Sequence, residues 1–349
     1  MKKLTIATTQ YGLKDITSEE QFWAGIADKV RKAAAEGAEM IVFPEYVTAH
    51  LLSLKPPMLH DEACAYLDGQ SERYERFFRE LSGEAGIAIL AGTHICRADR
   101  TWGGEEAGLA GAVAGGDGSA GANGGSDGAN AEKNSGAGVG SGSGSGSGLS
   151  EASDSSKEYV NEAFLFFPDG RLERQRKVHL TPEEQIRWPL VPGESLNVFD
   201  TQWGKMAILT CYDVEFPELA RVAALRGVET ILCPSYTDSA HGYHRVRFCA
   251  QARAVENQLF VVLSGLVGAL SEDRPQVDTG YCQAGAFAPC DFPFDPDGVL
   301  ETGKKNVDAT ILVELDYYQL HENRARGAVA PFYDRRSEIY RQEMKKLRY

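Results

Sequence analysis

The chain has no run that approaches the roughly 18 consecutive apolar residues of a membrane span, so a membrane partner is not expected. It also lacks an excess of basic residues. Lys and Arg number 36 against 50 Asp and Glu, a formal charge of −14, which argues against nucleic acid as a partner. Cysteine is sparse and odd in number. The seven residues at 64, 96, 211, 233, 249, 282 and 290 include no C-x-x-C pair and read as reduced thiols, not as a disulfide framework or a zinc site. A cytoplasmic location is expected on that ground. The N-terminus, Met1-Lys2-Lys3-Leu4-Thr5-Ile6-Ala7-Thr8, has no apolar stretch of signal-peptide length and reads as a first strand. No cluster has metal-ligand spacing and no Gly-rich phosphate loop precedes a helix, so neither metal nor cofactor is expected.

What is present is a chain of 349 residues, 43% hydrophobic and 25% charged, the balance of a globular protein with one large domain or two ordinary ones. One compositional break interrupts it. Residues 103–157 are almost wholly Gly, Ala, Ser, Asn and Asp, including Ser141-Gly142-Ser143-Gly144-Ser145-Gly146-Ser147-Gly148, and have too little apolar surface to offset their ordering entropy. The Ser-Gly repeats read as spacer.

On either side of the break, apolar runs alternate with helical patterns. Strands are expected at Leu4–Thr9, Met40–Phe43 and Ile87–Thr93, with helices at Glu19–Ala35 and Ser71–Ser82. Beyond it, Ala163–Phe167 and Leu172–Val178 flank the turn signal Pro168-Asp169-Gly170. Strands at Leu196–Asp200, Lys205–Leu209, Thr230–Cys233, Leu259–Ser264 and Ala309–Glu314 follow, with helices at Phe216–Arg226 and Tyr243–Glu256. Because the candidate chemistry draws on both halves, 1–102 and 158–315 are expected to form a single domain. Segment 103–157 is then a flexible insertion at a loop tip, and 316–349 a C-terminal segment suited to packing on a partner subunit. The mixture of β-α-β order and hairpins points to layered sheets with helices outside.

Three segments carry chemistry. In Leu209-Thr210-Cys211-Tyr212-Asp213-Val214-Glu215-Phe216-Pro217-Glu218 a strand ends near Thr210 and a helix begins near Pro217. Cys211 therefore sits on a strand-to-helix elbow, where a thiol is exposed and backbone N–H groups face a developing oxyanion. Alone, it reads equally well as a small core side chain. In Met40-Ile41-Val42-Phe43-Pro44-Glu45-Tyr46 a buried strand is stopped by Pro44, and Glu45 stands at its carboxyl end, where α/β sheets gather ligands. Glu45 fits a general base, and fits a solvated loop glutamate as readily. In Arg174-Gln175-Arg176-Lys177-Val178-His179-Leu180-Thr181-Pro182-Glu183-Glu184, Lys177 closes a strand and offers a fixed ammonium to an oxyanion, or is one more lysine of a basic cluster.

Together these motifs resemble the nitrilase superfamily of carbon–nitrogen hydrolases, and its amidase-like branch in particular. The glutamate of Phe43-Pro44-Glu45, the lysine of Lys177-Val178-His179-Leu180 and the cysteine of Cys211-Tyr212-Asp213-Val214-Glu215-Phe216-Pro217-Glu218 match in order. So does Arg253-Ala254-Val255-Glu256-Asn257-Gln258, leading into a strand, and the resemblance covers most of 1–315 outside the insertion. It implies a four-layer α-β-β-α sandwich and a homodimer or higher homo-oligomer. It implies Cys211 as nucleophile, Glu45 as base, and Lys177 with the backbone N–H of Tyr212 as oxyanion partners. It further implies a second glutamate after the lysine. Glu183 and Glu184 both qualify, and Glu184 is preferred because Trp188 follows four residues on. His179 is expected to have a structural hydrogen-bonding role. Tyr46, Trp188, Tyr236 and His241 are candidates for the substrate pocket. The activity implied is hydrolysis of a small amide or carbamoyl compound to acid plus ammonia or amine through a thioester. The alternatives are a nitrilase acting on a nitrile and a non-catalytic interaction module on the same fold.

Overall fold

The computed structural model describes residues 2–102 and 158–347. Segment 103–157, read from the sequence as an insertion, lies outside the described residues. Strand β1 (Lys3–Leu13) leads into α1 (Glu19–Ala35), whose Ser18 cap accepts from Gln21 N while Glu19 and Glu20 complement the helix dipole. One face of α1 buries Phe22, Trp23, Ile26 and Val30, the spacing of an amphipathic helix. Next come β2 (Met40–Val42), a 3-10 turn at Val47–Leu54, α2 (His60–Asp68), α3 (Ser71–Ala85) and β3 (Ala88–Arg97). After the gap, β4 (Tyr159–Phe166) and β5 (Leu172–Arg176) form a hairpin, followed by α4 (Pro182–Arg187). Strands β6 (Phe199–Thr201) and β7 (Gly204–Ile208) precede a second 3-10 turn, Cys211–Glu215, and α5 (Pro217–Leu225). Then follow β8 (Val228–Ser235), α6 (Ala240–Asn257) and β9 (Phe260–Ala269). The chain ends in β10 (Thr279–Gly280), β11 (Gly285–Phe287), β12 (Val299–Thr302), β13 (Ala309–Asp316), α7 (Tyr317–Arg326) and α8 (Ser337–Met344).

The strands order as β5-β4-β3-β2-β1-β9-β8-β7-β6. β1 changes partner along its length. Its first part pairs antiparallel with β13 from Lys3 to Gln10, and its last part pairs parallel with β9 from Gln10 to Leu13. That exchange folds the strand system into two halves packed face to face. Side-chain alternation then fixes the layers. Leu4, Ile6, Met40, Val42, Leu90 and Leu165 of one half meet Met206, Ile208, Leu232, Phe260 and Val262 of the other in a central core. Their neighbours in sequence, Ala7, Ile41 and Ile89, face outward onto α1 and α3, with Phe22, Ile26, Tyr74 and Phe78. Ala207, Leu209, Ile231, Val261 and Leu263 likewise face α5 and α6, through Ala220, Val246 and Ala250. Three cores between four layers make the α-β-β-α sandwich.

Two local outcomes differ from the sequence expectation. Strand β6 starts at Phe199, not Leu196, because Asn197 donates to Arg174 O and accepts in no ladder, tying that stretch to β5 instead. The stretch after 316 begins with a helix of the body: α7 buries Tyr317, Leu320 and Asn323, and Tyr317 OH meets Thr230 Oγ1 at 2.7 Å. Among the described residues no helix is long and apolar enough to cross a membrane.

Candidate active site

Four carboxyl-end features converge at one edge of the sandwich. β2 is completely buried, and Pro44 ends it after Phe43 N has bonded Leu90 O. The chain then turns so sharply that Tyr46 takes φ 58°, a left-handed conformation uncommon for a non-glycine residue. β3 makes room for the turn with Gly92 at φ 70°, where a Cβ would lie 2.1 Å from Pro44 O. Thr93 fastens it, its Oγ1 accepting from Tyr46 N at 2.9 Å. Glu45 is thereby delivered to the interior, 1% exposed.

Lys177 follows β5 and is 2% exposed. Its Nζ donates to Glu45 Oε1 at 2.7 Å and to Glu184 Oε1 and Oε2 at 2.9 and 2.8 Å. Glu184 owes its place to a capping box at the start of α4. Its backbone N–H donates to Thr181 Oγ1 at 3.2 Å, and its Oε2 accepts from Thr181 N at 2.7 Å. Glu183, one residue earlier, points outward and lies 3.9 Å from Arg187 with 58% of its side chain exposed. Geometry thus selects Glu184 over Glu183 as the second carboxylate on Lys177.

Cys211 opens the second 3-10 turn with φ 49°, another left-handed non-glycine residue, and is buried. A strained residue at a strand-to-helix elbow is a frequent signature of a functional side chain. Two braces hold this elbow. Asp213, fully buried, accepts from Thr210 N, Val178 N and His179 N at 3.2, 3.3 and 2.7 Å, and its Oδ1 meets His179 Nδ1 at 2.9 Å. It ties the cysteine turn to the segment that follows Lys177, and His179 stacks on Phe216 at 3.7 Å. From behind, Arg253 of α6 donates to Val214 O and Glu215 O at 3.0 and 3.1 Å.

Tyr236, just past β8, joins base and thiol through its backbone. Its N–H donates to Glu45 Oε2 at 3.0 Å, and its carbonyl accepts from the Cys211 thiol at 3.3 Å. Of the pocket candidates, Tyr46 donates through its phenol to Glu184 Oε1 at 2.5 Å and stacks on Trp188 at 5.3 Å. The Tyr236 ring meets Tyr46 edge-on at 6.0 Å. These three are together. His241 is exposed in the first turn of α6. Tyr212 follows Cys211 within the turn, its ring edge-on to Phe216 at 4.9 Å.

The sequence reading passed over Asn161, Asp213 and the backbone of Tyr236. A visible signal existed for two of them. Asn161 interrupts an otherwise apolar inward face of β4, and Asp213 stands three residues after Thr210, the spacing of an acidic cap.

The charges respond to one another. Burial pushes Glu45 above the ordinary carboxylate range, with Lys177 acting against it and Glu184 with it. Burial acts upward at Glu184 too, but Lys177, the Tyr46 phenol and Thr181 N–H outweigh it and hold that carboxyl low. At Lys177, burial works downward and is overcome by Glu184, Glu45 and Cys211, which keep the ammonium protonated far into the alkaline range. Burial, reinforced by the Glu45 charge, pushes the Cys211 thiol up, and Lys177 offsets this only in part. The geometry is that of a buried carboxyl, a buried cation and a protonated thiol meeting at strand ends.

Known proteins are similar to this chain. A family profile described as carbon–nitrogen hydrolase matches residues 137–289. The chain is 33% identical over 341 residues to the probable hydrolase YhcX of Bacillus subtilis (strain 168), covering 98% of this chain and 55% of that one. It therefore spans about half the length of that relative. It is 30% identical over 202 residues to omega-amidase NIT2 of Mus musculus, covering 55% of this chain and 68% of the relative. Among solved structures, an amidase from Nesterenkonia sp. aligns with a TM-score of 0.63 and 19% identity over 97% of this chain and 96% of its own. Nit3 of Saccharomyces cerevisiae, a member of branch 10 of the nitrilase superfamily, aligns with a TM-score of 0.63 and 20% identity over 96% and 97%. At those identities the two structures speak to the fold. With the sequence matches beside them, the chain belongs to the carbon–nitrogen hydrolase family.

Proposed function

We propose that the chain hydrolyses a non-peptide carbon–nitrogen bond in a small amide or carbamoyl substrate, with Cys211 as nucleophile, Glu45 as base and Lys177 as oxyanion partner. The observation that carries this reading is the Tyr236 backbone, whose N–H bonds the Glu45 carboxylate at 3.0 Å and whose carbonyl accepts from the Cys211 thiol at 3.3 Å. A thiol whose proton is held by burial is a poor nucleophile until a base takes that proton, and Glu45, itself raised, is suited to do so. Attack of sulfur on the carbonyl carbon gives a tetrahedral oxyanion beside Lys177 and the N–H of Tyr212. Collapse breaks the C–N bond, the proton on Glu45 leaves with ammonia or amine, and a thioester remains. Glu45 then takes a proton from water as the water attacks the thioester, which releases the acid and restores the thiol. Glu184 keeps Lys177 charged and in place.

The test is a panel of aliphatic amides, ω-amides and carbamoyl compounds with the corresponding nitriles, following ammonia release by the wild type and Cys211→Ala. Turnover of at least one amide or carbamoyl compound that vanishes in Cys211→Ala is the expected result. Equal turnover by both proteins would sink the assignment, and turnover of nitriles alone would replace the amidase by a nitrilase.

A further inference from the structure

One polar side chain at this site has no part in the chemistry just described. Asn161 lies on β4 with 1% of its surface exposed. Its Nδ2 donates to Glu45 Oε1 at 2.9 Å and to Glu184 Oε1 at 3.3 Å, so a single amide spans the same two carboxylates that Lys177 spans. Its backbone carbonyl accepts from Lys177 N at 2.8 Å, which fixes the lysine to the same stretch of strand. The other end of the amide is different. Asn161 Oδ1 is buried with no hydrogen-bond partner among the described residues.

An acceptor left unpaired in the interior is a cost that an apolar residue would avoid. What offsets it is the work of the NH2 end. With Glu45, Glu184 and Lys177 all ionised, the buried set carries one net negative charge, and the two carboxylates repel across the lysine. An aspartate at this position would add to that repulsion. A second cation would neutralise the set and so weaken the pull of Glu45 on a thiol proton. A neutral amide supplies two donors at two carboxylates without changing the net charge. It also occupies the Oε1 side of Glu45, and Oε2 remains with the Tyr236 N–H. The titratable groups bearing on Glu45 from the surrounding elements are Lys177, Glu184, Tyr46, Cys211 and Cys233, with Lys177 the cation among them.

We infer that Asn161 is a positioning residue of this site: it holds Glu45 and Glu184 side by side, turns Glu45 toward Cys211 and favours its ionised form. The inference rests on Glu45 acting as the base toward Cys211. Because the amide bonds the charged carboxylate, its loss raises the proton affinity of Glu45 and moves the acid limb of the reaction to higher pH.

The experiment compares Asn161→Ala and Asn161→Asp with the wild type. It follows the rate of Cys211 alkylation by iodoacetamide across pH, read by mass spectrometry, and the pH dependence of kcat/KM on the fastest amide of the panel. The acid limb is expected to move up by about one pH unit in Asn161→Ala and further in Asn161→Asp. With it, kcat falls roughly tenfold or more while KM stays within about threefold. A side chain that merely filled space would lower the melting temperature and leave the limb where it was, so an unmoved limb in both variants overturns the inference. Should Asn161→Ala fail to fold, Asn161→Leu, neutral and of similar volume, takes its place. Glu45→Gln separates the two levels. Full amide turnover in Glu45→Gln removes the base and this inference together, whereas its inactivity beside an unmoved limb removes only the role of Asn161.

Discussion

Lys177→Met removes an ammonium that touches both buried carboxylates, and the size of the effect follows from the contacts. Lys177 Nζ lies 2.7 Å from Glu45 Oε1 and 2.8 Å from Glu184 Oε2, with side-chain exposures of 1%, 1% and 5%. At an effective dielectric constant of about 20, each contact is worth roughly 6 kcal/mol of gross attraction, most of it set against desolvation. Removing one partner of such a buried set costs about 3–5 kcal/mol, because the remaining charges are left uncompensated. The pH dependence identifies the cause. In the wild type Glu184 is held low, so its contribution is present above its unfolded pKa and fades as pH falls through the folded value. In Lys177→Met both carboxyls lose the cation, so Glu184 rises above its unfolded value and Glu45, already above its own, rises further. The folded state then holds protons that the unfolded state releases, and stability drops as pH climbs from the acid side. The stability gap between wild type and variant should therefore be small near pH 4 and reach about 3–5 kcal/mol by pH 8. Urea unfolding followed by tryptophan fluorescence across that range measures it. A gap that does not change with pH, or that stays under about 1 kcal/mol at neutral pH, would refute the picture of a charge-coupled set.

Two further perturbations test how the site is built. Gly92→Ala forces a Cβ to within 2.1 Å of Pro44 O at a residue with φ 70°, so it should cost at least about 2 kcal/mol and depress kcat more than KM by displacing Glu45. A Gly92→Ala protein with wild-type stability and kcat would show that the turn relaxes freely. Replacing 103–157 by a short Gly-Ser linker should leave kcat within about threefold and stability within about 1 kcal/mol. The strands that flank the segment already meet, Arg97 pairing with Tyr159 and Ala98 N donating to Glu158 O at 2.7 Å. A large fall in kcat in the folded replacement would give that segment a part in the reaction.

Much of the arrangement was legible because it is local. Pro44 ends a four-residue apolar strand, so Glu45 had to stand at a strand end, and Pro217 starts a helix, so Cys211 had to stand on an elbow. Glu184 is likewise picked from its neighbour by a local device, the Thr181 box three residues earlier, whose meaning was missed although its spacing was in view. His241, a pocket candidate from the sequence, stands on the exposed start of α6. Asn161 showed in the sequence as a polar residue on an apolar strand face, but its partners did not. It lies 116 positions from Glu45 and 23 from Glu184, and meets them only because β4 and β5 pair in one register and α4 folds back across their end.

The sequence by itself determined which residues end strands, which turn into helices, and that a glutamate, a lysine and a cysteine occur in the order of a carbon–nitrogen hydrolase. Those properties depend on side-chain periodicity, proline and capping within a few residues. The tertiary structure alone decided that both carboxylates share one ammonium, that Asn161 and the Tyr236 backbone connect the set, and which way each pKa moves. These depend on strand register and on burial, which arise only when distant segments exclude water together.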